Sequence, residues 1–461
     1  MEAAPSSSTC ACSHLVTMPY PARGYINPMM NFCKMLLSND NTRLILVTFV
    51  VTEEWLGFIG SDPKPDIMRF ATIPNVVASD HPGFLEAVMA KMEASFEELL
   101  NRLQPPPTAI VSDTFLYWAV VVGSRRNIPV ALFSTMSASI FFVLHHHHLL
   151  VNLSGNYFNQ NGGERVDYIP EISSMRVVDF PLNDGSCRSK QLLKTCLKGF
   201  AWVSKAQYLL FTSIYELEPH AIDVLKAELS LPIYTIGPAI PYFSLQNNPT
   251  FSTTNGTSDS YMEWLQVLFF TSHKGSHFSV SRAQMDEIAF ALRESGIQFL
   301  WVGRSEASRL KEICGNQHYY KRSILRRRCD QQLRVLSHPS IGGFWSHCGW
   351  NSTKEGVLAG VSFLTFPIIM DQQIDSKMIV EDWKVGWRVK EDVKVNTTTL
   401  VKKDEIAMLV QKFMDLDSNL AREIRERSET LRQICSRAIT NGGSAVTDLN
   451  AFVKDLVQTI H

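Results

Sequence analysis

Residues His338 to Gln372 read HPSIGGFWSHCGWNSTKEGVLAGVSFLTFPIIMDQ. Gly342 to Trp345 makes a short apolar strand, followed by a tight Gly-rich turn and a helix start within His347 to Ser352. A second buried strand then runs out into the polar pair Asp371-Gln372. A strand–turn–helix unit of this kind presents backbone N–H groups at a helix N-terminus, where the dipole favours an anion. The polar side chains at that end are His347, Asn351 and Ser352, with Glu355 one turn further in. Ser352 followed three residues later by Glu355 is also a capping-box pattern, so a cap and a ligand group are both readings of this pair.

Working outward, short apolar runs alternate with amphipathic helical windows, which predicts parallel α/β units. Leu15 to Met18 is a buried-type strand, followed by the turn-rich Pro19 to Gly24 and a helix from about Asn27. Arg43 to Val50 and Ala109 to Ser112 are further strands, the latter ending at Asp113, and Ile233 to Gly237 closes the series. Residues 239–260 are rich in Asn, Ser, Thr and Pro and read as a linker. A second α/β series follows, with Phe299 to Val302 and Gly342 to Trp345 its clearest strands. Residues 404–434 read as helical and highly charged, and Ala445 to Ile460 as a last amphipathic helix. The expected division is a tail at 1–12, a first domain at 13–240, a linker at 241–260, a second domain at 261–445, and a helix at 446–461 packing back toward the first domain. Two open, doubly wound sheets facing a cleft hold their ligands at the carboxyl ends of the strands.

Bulk properties fit a soluble enzyme. The 461 residues are 45% hydrophobic and carry a net charge of -1, which gives no electrostatic case for nucleic acid or an anionic membrane. Nine cysteines without metal-type spacing read as free thiols in a reducing compartment. The start of the chain lacks the basic and apolar regions of an export signal, and no apolar run is long enough to span a bilayer, so a cytoplasmic location is expected.

The 338–372 segment resembles the signature box of plant UDP-dependent glycosyltransferases, the family 1 inverting enzymes that move a sugar from a UDP-sugar to small acceptors. The resemblance covers nearly the whole chain, from Leu15 to the final helix. It implies a GT-B type fold of two Rossmann-like domains, the first binding acceptor and the second UDP-sugar. It also implies that Glu355 holds the ribose hydroxyls, a task suited to a carboxylate accepting two O–H bonds. His347 and Ser352 match phosphate-holding positions, and Asp371 and Gln372 match the pair on the sugar hydroxyls, with the Gln pointing to glucose. Gly349, Trp350 (through its backbone), Asn351, Gln332 and Ser276 complete the implied donor set. The implied partners are a UDP-sugar co-substrate and a small hydrophobic acceptor, bound by a monomer with no metal and no further cofactor.

The departures from the family pattern bear on the chemistry. The family's general base is a His in the turn after the first strand; this chain has Tyr25 there, in Gly24-Tyr25-Ile26-Asn27-Pro28, with the base's partner Asp present as Asp113. A phenol of pKa near 10 is roughly 0.1% ionised at pH 7, whereas an imidazole near 6.5 is mostly free base. A loss on the order of 10²–10⁴-fold is expected for alcohol and phenol acceptors, and less for a carboxylic acid that is already ionised. His14, at the far end of the strand, does not replace the missing base. Before the box, where the family has an apolar strand and a uracil-stacking Trp, this chain reads Lys321-Arg322-Ser323-Ile324-Leu325-Arg326-Arg327-Arg328-Cys329-Asp330-Gln331-Gln332, a run too basic for a doubly buried strand. The phosphate-touching segment near Ser276 is altered as well, and Ser362 replaces a usual Pro.

His145 to His148 lie in a row, but consecutive helical positions point around the axis, so a helix lining the acceptor pocket is preferred to a metal site. The Arg326 to Arg328 cluster reads as a solvated loop. The acceptor walls are expected from 80–95, 134–148 and 175–200. Three functions stay open: a glucosyltransferase impaired at Tyr25, a non-catalytic binder of a nucleotide sugar or small metabolite, and a decayed product with a compromised second domain.

Overall fold

A computed structural model describes residues 13–38, 45–61, 64–76, 81–147, 165–166, 175–176, 179–180, 187–241, 267–272, 280–303, 312–313, 323–326, 332–390 and 400–460. Two all-parallel sheets organise them. The first contains β1 (Ser13–Met18), β2 (Ile45–Thr52), β3 (Met68–Ile73), β4 (Ala109–Asp113), β5 (Val130–Ser134), β8 (Tyr208–Phe211) and β9 (Ile233–Thr235), in the order β3-β2-β1-β4-β5-β8-β9. A small antiparallel pair, β6 (Arg165–Val166) with β7 (Met175–Arg176), lies between β5 and β8 in sequence. The second sheet contains β10 (Val267–Ser272), β11 (Gln298–Gly303), β12 (Ser323–Arg326), β13 (Ile341–Ser346), β14 (Phe363–Thr365) and β15 (Gly386–Arg388), in the order β12-β11-β10-β13-β14-β15.

In both sheets the strand order reverses beside the first strand, between β1 and β4 and between β10 and β13. Crevices open at the carboxyl ends of strands at such switch points. The first turn of the helix after β1 carries Tyr25, β4 ends at Asp113, and the turn after β13 carries His347. All three residues of interest therefore sit at sheet switch points. Strands β1, β4, β5 and β8 are buried along their whole length, as expected of parallel strands covered on both faces. His14, at the opposite end of β1, is a satisfied core imidazole: Nδ1 lies 2.6 Å from the Pro105 carbonyl and Nε2 2.7 Å from Thr48 Oγ1.

Three expectations need correction. The first helix begins at Arg23 rather than Asn27 and carries Pro28 within it. The 404–434 stretch is two helices, Lys403–Met414 and Asn419–Ala438, separated where Ser418 caps the second through the Ala421 N–H at 3.4 Å. The basic segment before the box does form a parallel strand, β12, paired to β11. It is an edge strand, with β11 as its one neighbour in the sheet. The proposed linker lies almost wholly outside the described residues, as do Ser276 and Arg327 to Gln331.

The helix Trp350–Ala359 lies tightly on the second sheet because Gly356 has no side chain; a Cβ there would come within 2.4 Å of the Phe363 ring. The last helix, Ser444–Ile460, packs against the first sheet. Its Phe452 is fully buried among Phe32, Tyr208 and Tyr234, at ring separations of 6.3, 5.6 and 5.8 Å. Tyr208 and Tyr234 both hydrogen-bond to Asp455 of that helix. Phe452→Ala is therefore predicted to lower unfolding stability by about 3–5 kcal/mol. Urea unfolding of the variant checks it, and a change below about 1 kcal/mol contradicts the docking described.

Candidate active site

The strand-to-helix turn after β13 is held in a sparsely populated backbone conformation. Cys348, fully buried, takes a left-handed φ of 65° and donates its N–H to Ser346 Oγ at 3.0 Å. Such strain persists where the surroundings over-determine it, and it gathers at functional sites. Gly349 follows as the helix N-cap, and a Cβ there would meet His347 Nε2 at 2.6 Å. Glycine thus lets the imidazole fold across the helix entrance.

Gly349, not Ser352, is the N-cap, so the capping-box reading fails. Ser352 lies in the first turn, and its hydroxyl accepts from Gln332 Nε2 at 3.2 Å. The remote Asp371 carboxylate takes the Trp350 N–H. Asp371 follows Met370, a second residue with left-handed φ, at 64°. Gln372 turns its Oε1 back onto the N–H groups of Ile368 and Ile369, at 2.8 and 3.0 Å. Gln332 also hydrogen-bonds the Glu355 carboxyl, so Gln332, Ser352 and Glu355 form one polar group.

This helix start meets the first half of the chain directly. Pro28 has no N–H, so the Gly24 carbonyl four residues before it loses its intrahelical partner. Asn351 Nδ2 supplies one from the other sheet at 2.9 Å. That bond fixes the amide orientation and leaves Asn351 Oδ1 buried and without a partner. Next to Gly24, the half-buried Tyr25 ring lies 4.9 Å from Tyr20 and 6.0 Å from Phe115. Burial pushes its phenol well above the ordinary value, and the charges of Asp113, Tyr20 and Asp371 push the same way. Tyr25 therefore feels carboxylates from both halves, Asp113 from the first and Asp371 from the second. Asp113 is fully buried; its Oδ1 accepts the Phe115 N–H at 2.9 Å and its Oδ2 the Thr135 hydroxyl at 3.4 Å.

Sequence reasoning missed a buried charge cluster at the same seam. Lys354, on the Trp350 helix, is 1% exposed and donates to Thr212 Oγ1 at 3.1 Å. No described carboxylate lies within ion-pair distance of it, though Glu355, Asp375 and Glu218 all raise its proton affinity. Asp375, fully buried, accepts from Ser137 Oγ at 2.9 Å and leaves Oδ2 without a partner. Glu218 accepts the N–H groups of Ala138 and Ser139 at 3.0 and 2.9 Å and the Ser213 hydroxyl at 2.7 Å. Trp350 Nε1 reaches the Thr212 carbonyl at 3.1 Å, so its ring packs across the seam. Nothing local in the sequence marks Lys354 as buried; only the packing of the two halves shows it. Farther off, His146 bonds Glu228 at 3.1 Å and the Phe142 carbonyl at 3.0 Å, a structural role in the helix Ala138–His145 and its C-cap.

Two doubly wound parallel sheets with chemistry-bearing turns facing each other at their switch points define a GT-B type glycosyltransferase. Residues 275–440 match the family model described as UDP-glucoronosyl and UDP-glucosyl transferase. The chain is 44% identical to UDP-glycosyltransferase 87A1 of Arabidopsis thaliana over 96% of its own length and all of that protein's, and 43% identical to UDP-glycosyltransferase 87A2 over 97% of each. Among solved structures, TcCGT1 in complex with UDP aligns at TM-score 0.82 with 21% identity, covering 97% of this chain and 99% of that one. A UDP-glucosyltransferase from Polygonum tinctorium aligns at 0.81 with 24% identity and the same coverage. This chain belongs to the plant UDP-glycosyltransferase family.

Burial lifts Asp113 and Glu355 to about 7 and Asp371 to about 6, against the weaker downward pull of their hydrogen bonds and, for Glu355, of Lys354. Burial lowers Lys354 to about 7. Between the ordinary carboxylate range and 7, the folded chain keeps protons that the unfolded chain has released, so this contribution to stability is full at low pH and lost as pH rises to 7. The lysine acts in the window above 7, where the unfolded chain holds the extra proton and stability recovers with pH. Thermal unfolding is thus predicted at higher temperature at pH 5.5 than at pH 7. Asp113→Asn should remove on the order of 2 kcal/mol of that difference. An unchanged pH slope in the variant contradicts the assignment.

Proposed function

We propose that the chain transfers glucose from UDP-glucose to a small hydrophobic acceptor with inversion, and that Tyr25 slows this transfer. The observation that carries the reading is the placement of Tyr25, next to the Gly24 carbonyl that Asn351 of the Trp350 helix engages and within reach of the Asp113 charge. On this reading the helix N-terminus and His347 stabilise the departing diphosphate, Ser352 adds a hydroxyl, and Glu355 takes the ribose hydroxyls, steadied by Gln332. Asp371 and Gln372 face the sugar, Gln372 through its amide N–H groups because its oxygen serves the loop. Gly349 gives the ligand close approach to the turn, and the orphaned Asn351 Oδ1 accepts a ligand or water O–H. Ser276 would add a further phosphate contact.

In the reaction the acceptor oxygen attacks the anomeric carbon, the bond to the UDP oxygen breaks, and the acceptor proton must leave. Asp113 would orient and charge-balance a histidine at position 25. A phenol held above its ordinary pKa stays protonated at neutral pH and cannot take that proton. An ionised acceptor, such as a carboxylate forming a sugar ester, brings no proton to remove. The acceptor walls fall to the helices His81–Arg102, Ala138–His145 and Cys187–Phe200, which pack together in the first half. The protonated Tyr25 also favours a second reading, a non-catalytic binder that holds nucleotide sugar without turnover.

UDP release from UDP-glucose, measured with phenol, alcohol and carboxylic acid acceptors, separates these readings. Tyr25→His should raise turnover on phenols and alcohols by about 10²–10⁴-fold and on carboxylates far less. Equal gains on all three acceptors contradict the role given to Tyr25. Saturable UDP binding with no turnover in either protein supports the binder.

A further inference from the structure

A cavity of about 520 Å³ is lined by Arg165, Arg176, Arg388, Lys412, Glu381 and Trp387, with Val380, Leu409 and Leu420 as its apolar surface. It straddles the two halves: the β6–β7 ribbon supplies Arg165 and Arg176, while β15 and the helices Lys403–Met414 and Asn419–Ala438 supply most of the rest.

Glu381 bridges Arg165 at 3.1 Å and Arg388 at 2.9 Å, and the buried Asp179 holds Arg176 at 2.7 Å with Arg388 3.9 Å away. Among the described residues the lining is mostly cationic, with Arg165, Arg176, Arg388 and Lys412 beside Glu381. Lys412 has no carboxylate partner among the described residues and stands 5.7 Å over the Trp387 ring. The Arg388 side chain is only 8% exposed, and its Nε makes no hydrogen bond. A buried guanidinium donor left unpaired is costly unless a ligand or water satisfies it. The remaining surface, Trp387 with Leu409, Leu420 and Val380, suits an apolar body. The volume falls in the range of small-molecule sites, about 300–1,000 Å³, and the concave form suits a small molecule rather than a membrane surface.

We propose that this cavity binds a small amphipathic anion, with a carboxylate, sulfate or phosphate head between Arg388 and Lys412 and a short apolar body on Trp387 and Leu420. The cavity shares no lining residue with the Tyr25, Asn351 and Glu355 site, so its test does not depend on sugar transfer. A bound anion would touch residues from both halves and tie them together.

The test uses the full chain and 4-(trifluoromethyl)benzoate, followed by fluorine NMR, with 4-(trifluoromethyl)benzyl alcohol as the neutral control. Lys412→Glu changes an exposed side chain and should leave folding intact; Arg388→Met is the second variant. Expected are saturable benzoate binding that UDP does not displace, weakening with added salt, and a loss of about tenfold or more in each variant. The alcohol should bind at least as much more weakly. Displacement by UDP, equal binding of the alcohol, or benzoate affinity in Lys412→Glu within about twofold of the unmodified chain would each overturn the proposal. Lys412-dependent capture on anionic vesicles without benzoate binding would overturn it in favour of a membrane surface.

Discussion

Pro28 removes one N–H from the first helix, and the consequence reaches across the molecule. The Gly24 carbonyl is left without its helical donor, and Asn351, at the start of the Trp350 helix, provides one at 2.9 Å. This bond joins the turn that carries Tyr25 to the helix entrance that carries His347 and Ser352. Around it the same segment of the second half makes further bonds to the first: Trp350 and Lys354 to Thr212, Asp375 to Ser137, and Trp383 to the Leu217 carbonyl at 3.0 Å. Donor-side and acceptor-side turns therefore face each other in a register set by specific polar contacts rather than by apolar area alone.

That seam is built from groups that resist burial. Asp113, Asp375, Glu218 and Lys354 are all nearly or wholly buried, and burial is the leading cause of every one of their shifts. Apolar replacements of similar size would commonly be at least as stable. Asp113, held at about 7, and Asp371, at about 6, keep the field around Tyr25 responsive to protons over the physiological range. The strained turns at Cys348 and Met370 place further cost at the same location. Stability has been given up where the two halves meet, the position at which a transferase of this architecture must hold both substrates.

Much of this was legible in the sequence because it depends on short-range pattern. Continuous apolar runs marked β1, β4 and β13, and the HCGWN stretch marked the region of the helix entrance. Tyr25 and Asp113 could be paired only through the family resemblance. What could not be read depended on the other half of the chain. Ser352 looked like a cap until Gly349 took that position and Asp371 arrived from a distant loop. Lys354 carried no local mark of its burial in the seam. The basic run at 321–332 looked unfit for a parallel strand, yet Ser323–Arg326 within it pairs to β11 at the sheet edge.

The central claim is that the two turns form one site through Asn351 and Gly24, and a calorimetric titration of UDP tests it most directly. The unmodified chain should bind UDP saturably at one site, and Asn351→Ala should lower that affinity by about tenfold or more with little change in Tm. No UDP binding by the unmodified chain, or equal affinity in the variant, would contradict the account.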